Sequence, residues 1–361
     1  MEWSDEFNSF NSWKGLLYAP HYENIAQWGS GKKKGLLLLP PIEASLDPIE
    51  QCQLACNHCN AGRYLGKDGR RMSDKHILDL VAYLAVWGVK AICFGGGGEP
   101  SLHTALPKAI VATKQHGLES SVATNGIIMT AELFEAYKLC RWIGVSVDAG
   151  TAKTYTIGRK GGYFGITIKN IARLAKIRND VSFKFLIFDY NQHEIFEACK
   201  LAKELGVDSF HARPADMRHQ GMSSPTIGGH YDVEKINEQL AQCRELEDDC
   251  FKVFTVTHKF EKDFTPKRNF SQCYASPICI QLSPDGNIYL CPDTRHIDFY
   301  KLGSHENVED IGKVWGSKKH YDLVFKNGCG NCNSRCTFSS YNRQCEKLFI
   351  NGDDPFCRNF V

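Results

Sequence analysis

The sequence lacks any apolar run that could cross a membrane. Its longest, residues 35–42, is interrupted by Pro40 and Pro41 and falls well short of the roughly 18 residues a spanning helix needs. The N-terminus, Met1-Glu2-Trp3-Ser4-Asp5-Glu6, has neither the basic nor the apolar region of a secretion signal. Charge of one sign is not in excess: 43 Lys+Arg face 41 Asp+Glu, so neither a membrane surface nor a nucleic acid is an expected partner. There is no G-x-G-x-x-G and no G-K-[ST], which argues against dinucleotide and P-loop chemistry. With 23% charged and 11% aromatic residues the chain is neither disordered nor fibrous. For 361 residues the expectation is a soluble cytoplasmic protein of two or three domains.

Cysteine is what the chain has in unusual supply. There are 16, and they are clustered: Cys52, Cys56 and Cys59 fall within eight residues, and eight more lie between Cys273 and Cys357. Without a secretion signal, clustered thiols in a long chain read as metal or cluster ligands rather than disulfides. Cys52-x3-Cys56-x2-Cys59 can hold three irons of a 4Fe–4S cube and leave the fourth open to an outside ligand. A closed zinc site with His58 as fourth ligand is the competing reading.

Between residues 36 and 250, strand-like runs alternate with helix-like ones. Strands are expected at 36–46, 91–94, 121–124, 143–148, 183–188 and 209–212. Ser73 is a candidate N-cap for a helix through Trp87, and further helices fit about 104–116, 131–140, 166–178 and 192–205. Six such repeats predict an α/β fold, a parallel sheet with helical crossovers curved as in a barrel. The pattern changes after about residue 250. Runs at 278–282 and 288–291 flank Ser283-Pro284-Asp285-Gly286-Asn287, a hairpin turn, and the rest is loop-rich. The expected division is an N-terminal extension (1–35), a barrel (36–250) and a cysteine-rich C-terminal domain (251–361).

Two further features sit at strand C-terminal ends, the edge where α/β barrels place their ligand sites. Gly95-Gly96-Gly97-Gly98-Glu99-Pro100 ends the second strand, where missing Cβ atoms let a ligand reach the backbone. Val145-Ser146-Val147-Asp148 ends the fourth.

In these features the chain resembles the radical S-adenosylmethionine (SAM) superfamily over roughly residues 36–215. The cysteine loop with an aromatic residue, His58, before its last cysteine resembles that family's cluster loop. Gly97-Gly98-Glu99 resembles its methionine-amine motif, and the strand ending at Asp148 its ribose or carboxylate contact. The resemblance implies a partial (β/α)6 TIM-like barrel whose open iron is chelated by SAM. SAM is then cleaved reductively, and the resulting 5′-deoxyadenosyl radical removes a hydrogen atom from substrate. It also implies cofactor contacts from His58, Gly96, Gly97, Gly98, Glu99, Ser146 and Arg159, with Asn125 lining the pocket.

The C-terminal cysteines resemble the SPASM extension, which carries auxiliary 4Fe–4S clusters. The spacing Cys332-x3-Cys336-x8-Cys345 departs from that family's usual pattern. By analogy, one cluster would take Cys273, Cys279, Cys291 and Cys345, and a second Cys329, Cys332, Cys336 and Cys357. A one-cluster "twitch" version would use Cys273, Cys291, Cys329 and Cys332. Asp293 is placed near a catalytic aspartate of sulfatase-maturing relatives, and His211 and Arg213 could touch substrate. The resemblance therefore implies an enzyme that oxidatively modifies a peptide or protein side chain and is fed by a flavodoxin- or ferredoxin-type electron donor. The alternatives are a dehydrogenase or epimerase acting on a sugar, aminocyclitol or nucleoside, and a non-catalytic iron–sulfur electron carrier.

Overall fold

The computed structural model describes residues 12–30, 36–59, 61–62, 64–65, 69–177, 180–214, 231–255, 270–326, 332 and 336–351. Cys329 and Cys357 lie outside the described residues. The described strands form one ten-stranded sheet. They are β1 (Glu43–Leu46), β2 (Ala91–Phe94), β3 (Glu119–Thr124), β4 (Trp142–Ser146), β5 (Asp180–Ile187), β6 (Ser209–Pro214) and β7 (Lys252–Thr255), then β8 (Cys279–Leu282), β9 (Asn287–Tyr289) and β10 (Lys301–Ser304). From β1 to β7 the strands follow chain order and every pairing is parallel.

Each parallel step needs a helical crossover, and the helices between strands cover one face of the sheet. On that face Ile92, Phe94, Val122, Ile143, Val145, Phe183, Phe185 and Phe210 have no exposed surface. The helix Asp74–Trp87 shows how local sequence sets such an element. Ser73 accepts a hydrogen bond from the His76 N–H at 3.1 Å, and Gly88, at φ 113°, closes the last turn by donating to Leu84 and Ala85. Ile77, Leu80, Val81 and Leu84 form its buried stripe.

Side chains alternate across a strand, so the other face is a separate surface. Cys93, Ser121, Trp142, Ser146, Lys184 and Arg213 occupy it and keep part of their accessible area. The sheet therefore has one oily face under helices and one polar concave face.

All six expected strands of the barrel are present, with shifted ends. β1 is shorter than expected because Pro40 and Pro41 have no N–H to give a ladder. The expected hairpin is also present, but β8 pairs in parallel with β1, opposite Glu43 to Leu46, so the hairpin extends the barrel's sheet. The sheet likewise continues past residue 250 through β7. Among the described residues, no helix is long and apolar enough to cross a membrane.

One buried side chain locks the turn after β5 to the end of β4. Asn191 donates to the backbone oxygens of Asp148 and Leu186 at 2.8 and 2.9 Å, and accepts from the Phe188 N–H at 2.7 Å. Asn191→Ala leaves three buried backbone groups unpaired and is expected to destabilise the fold by about 3 kcal/mol. Denaturant unfolding measures it; a loss within experimental error of zero would show that the turn does not depend on Asn191.

Candidate active site

Because β1 to β6 run in parallel, the loops after their C-terminal ends gather along one edge. The cysteine loop follows β1, the glycine run follows β2, Asn125 follows β3, and Asp148 follows β4. Residues 50 to 100 positions apart in the chain thus become neighbours.

Cys52 and Cys56 are met by donors from other elements, and Cys59 by the Ala61 and Gly62 N–H groups of its own loop. The Leu54 N–H points at Cys52 Sγ at 3.5 Å, and Asn125 Nδ2, from the β3 end, at 3.8 Å. Arg159 Nη1 points at Cys56 Sγ at 3.8 Å. Burial raises all three thiol pKa values, that of Cys52 to about 12, so thiolates here require a bound cation. N–H donors aimed at sulfur in a buried loop of three thiols fit an iron–sulfur cluster, whose irons supply that charge.

The glycine run is packed against this loop. A Cβ on Gly98 would lie 2.5 Å from the backbone oxygens of Ile49 and Gln51, so only glycine lets the two loops approach this closely. Gly96 has φ 90°, a left-handed conformation that other residues rarely adopt. Glu99 is buried, and both its oxygens are already engaged. Oε1 accepts from Ser101 N–H (3.1 Å), Ser101 Oγ (2.6 Å) and Thr124 Oγ1 (2.6 Å), and Oε2 from the Asn125 N–H (2.7 Å). Its carboxylate therefore joins the ends of β2 and β3, and what this turn can offer a ligand is backbone.

Asp148 organises the other side. It adopts φ 58°, rare for a residue with a side chain, and is almost wholly buried. Its Oδ2 pairs with Arg159 and lies 3.2 Å from His58 Nε2, while Oδ1 accepts from the Leu186 N–H at 2.8 Å. Burial pushes its pKa up, but Arg159 and His58 outweigh that and hold the carboxyl at about 2. His58 also packs on Phe188, with ring centroids 4.5 Å apart. The structure brings His58 and Arg159 together through Asp148, which the strand-end motif contained and the site assignment passed over. Ser146 is half-buried at the β4 end, register partner of Lys184.

A second set of ion pairs ties the C-terminal hairpin to the cysteine loop. Arg295 Nε lies 3.1 Å from Asp47 Oδ2, directly behind Gly96, and Arg295 Nη2 donates to Gln281. His296 Nε2 lies 3.0 Å from Glu50 and its Nδ1 3.4 Å from Asp285. Burial works against its charge, yet these two carboxylates raise the His296 pKa to about 9. The Asp47–Arg295 and Glu50–His296 pairs join residues more than two hundred positions apart, and no local signal marks them.

The C-terminal cysteines group differently from the expected pairing. Cys273, Cys291, Cys332 and Cys336 line one apolar cavity, with Phe270, Leu290 and Phe338 among its walls. Cys279 and Cys345 are not among the lining residues. Cys279 is buried in β8, near Glu43, and Cys345 is buried in the helix Ser339–Asn351 beside Tyr341. The set Cys273, Cys279, Cys291 and Cys345 is thus not gathered on this cavity, although Cys279 is close enough to Cys291, and Cys345 to Cys273, for their charges to interact. Asp293 borders the cavity, and both its oxygens accept from Thr337, from N–H and Oγ1 at 2.9 Å each. Its charge also acts on Arg295, the partner of Asp47.

Comparison with known proteins bears on this geometry. Residues 46–213 match the family model described as the Radical SAM superfamily. Mycofactocin maturase MftC of Mycolicibacterium smegmatis is 22% identical over 333 residues, covering 88% of this chain and 82% of that protein. In fold, the chain is similar to Streptococcus suis SuiB bound to precursor peptide SuiA, with a TM-score of 0.66 at 15% identity, over 89% of this chain and 73% of that one. It is also similar to anSMEcpe with bound AdoMet, with a TM-score of 0.60 at 16% identity, over 88% and 97%. Residues 46–213 thus form a radical SAM superfamily domain, and they span the thiol loop, the glycine run and the Asp148–Arg159 pair.

Proposed function

We propose that this enzyme oxidatively modifies a peptide or protein side chain, using SAM held over the Cys52–Cys56–Cys59 loop. The observation that carries this reading is the convergence of the three N–H-met thiols, an open glycine backbone and the Asp148–Arg159–His58 group on one edge of a parallel sheet. When bound, the cluster and SAM supply one-electron cleavage of SAM to a 5′-deoxyadenosyl radical, which takes a hydrogen atom from substrate. In this reading Cys52, Cys56 and Cys59 hold the cluster, and Asn125 and Arg159 direct their N–H groups at the sulfurs. The glycine run presents backbone to the methionine end of SAM. Asp148 keeps Arg159 and His58 in place and stays ionised through the physiological range.

A peptide substrate is supported by MftC, named as a maturase, and by the SuiB fold, recorded with a precursor peptide. The cavity lined by Cys273, Cys291, Cys332 and Cys336 is proposed to hold one auxiliary 4Fe–4S cluster with all four irons ligated, an electron outlet suited to net oxidation. A flavodoxin- or ferredoxin-type protein is the proposed electron donor.

Anaerobic reconstitution tests the assignment. With SAM and dithionite the holoenzyme is expected to release 5′-deoxyadenosine and to carry about eight irons per chain; a second auxiliary cube would raise this to about twelve. Replacing Cys52, Cys56 and Cys59 together with Ala should abolish 5′-deoxyadenosine and leave about four irons. Continued SAM cleavage by that variant would overturn the site.

Gly98→Ala puts a Cβ against the Ile49 and Gln51 carbonyls and is expected to weaken SAM binding more than tenfold, about 1.4 kcal/mol. Calorimetric titration of the reconstituted protein reads this directly, and unchanged affinity would make the glycine run a plain turn.

Asp148→Asn strips the buried Arg159 of its counter-charge and should cost about 3 kcal/mol or more. The wild-type carboxyl titrates below its unfolded value of 3.8, so this stability is present above about pH 4 and lost as pH falls towards 2. Thermal melts of both proteins between pH 7 and pH 2 should therefore converge at the acid end; parallel curves would contradict the ion-pair account.

A further inference from the structure

The concave face of the sheet carries charge that the thiol loop and glycine run do not use. Lys184, in the middle of β5, is the register partner of Ser146 on one side and His211 on the other, and Arg213 lies one step further along the same face of β6. The Lys184 Nζ lies 5.8 Å from the centroid of the Trp142 ring. Gly144, between Trp142 and Ser146 on β4, makes this possible. A Cβ there would fall 2.3 Å from the Trp142 ring and 3.0 Å from Lys184 Cδ, so the glycine keeps space for both side chains.

Lys184 has no salt-bridge partner among the described residues. The carboxylate that faces it, Asp148, is already paired with Arg159 and His58. Around it stand Arg213, Arg159 and the Cys93 thiol. Surrounding protein, followed by the charge of Arg213, lowers the Lys184 pKa to about 8, although the side chain keeps accessible surface. Lys184 is thus deeply set yet keeps accessible surface on the concave face. Two cations on adjacent strands, with no carboxylate committed to the lysine, work against folding stability, an arrangement typical of sites that complete themselves with a ligand.

We infer that the concave face binds a carboxylate of the substrate, with Lys184 and Arg213 as its cationic partners and Trp142 as the wall beside it. This rests on the proposed peptide substrate, whose anionic groups are side-chain carboxylates and the C-terminal carboxylate. Lys184 supplies a point charge and Arg213 a planar fork of donors, a combination that favours an oxyanion over a neutral amide. Beside Ser146, at the β4 end, such a contact would fix which part of the peptide meets the SAM edge.

The test uses reconstituted holoenzyme with SAM and no reductant, titrated calorimetrically with four small probes. These are an N-acetylated, C-amidated tripeptide with central aspartate between alanines, its asparagine counterpart, and N-acetylated trialanine as free acid and as amide. At least one acid should bind about tenfold tighter than its neutral partner, and which pair shows the difference identifies the carboxylate source. Lys184→Met and Arg213→Met should each erase that preference, and Lys184→Arg should retain it. Should Lys184→Met fail to fold, Arg213→Met carries the comparison. Equal binding of acids and amides by the wild type, no binding of either, or a preference that survives the Met variants would overturn the inference. Release of 5′-deoxyadenosine by the same preparation after dithionite is scored separately. Its absence would count against the radical SAM activity itself, and its presence with equal binding would count against the anion site alone.

Discussion

Asp148 is the constraint around which the active edge is arranged. A buried carboxylate is costly unless it is paired and hydrogen-bonded, and here every partner comes from a different element. Arg159 ends the helix Ala152–Arg159, His58 stands in the thiol loop, Leu186 is in β5, and Asn191 holds the Asp148 backbone oxygen from the turn beyond. Satisfying one charge therefore fixes the position of four segments. Arg159, held this way, can direct a second N–H at Cys56, so the ion pair and the thiol loop are geometrically one unit. The left-handed backbone at Asp148 is the strain that this arrangement maintains.

The C-terminal segment is joined to that unit by charge as well as by sheet pairing. β8 completes the sheet beside β1, and the short stretch that follows the hairpin runs from Cys291, on the cysteine cavity, to Arg295 and His296, which pair with Asp47 and Glu50 before the thiol loop. A six-residue span thus connects the two cysteine sites. Buried ion pairs specify geometry more than they stabilise it, because the desolvation they require offsets most of their attraction. Here they place the glycine run, since Arg295 and Asp47 fill the space behind Gly96 and Gly97.

Much of the scaffold was legible from local signals. The Ser73 cap, the six strand runs, the Ser283–Asn287 turn and the thiol spacing each follow from short-range chemistry, and each has its counterpart in the structure. The helix Ala152–Arg159 was missed because it is polar and only eight residues long, with too little apolar period to stand out. β7 was missed because Lys252–Thr255 is four residues long and follows directly on the change in pattern. Glu99 was expected to face a ligand, yet it binds the strand ends together, a role defined by Thr124 and Asn125 on another strand.

The alternation of strand and helix, the caps and turns, and the two cysteine groups are set locally, because they depend on residues within a few positions of one another. Which thiols share a cavity, which carboxylate pairs with Arg159, and the meeting of Lys184 and Arg213 on a concave face are set by the fold. Those proximities depend on strand register and on the order in which strands join the sheet. A one-residue shift in β5 would turn Lys184 from the cavity to the helix-covered side without altering any local propensity.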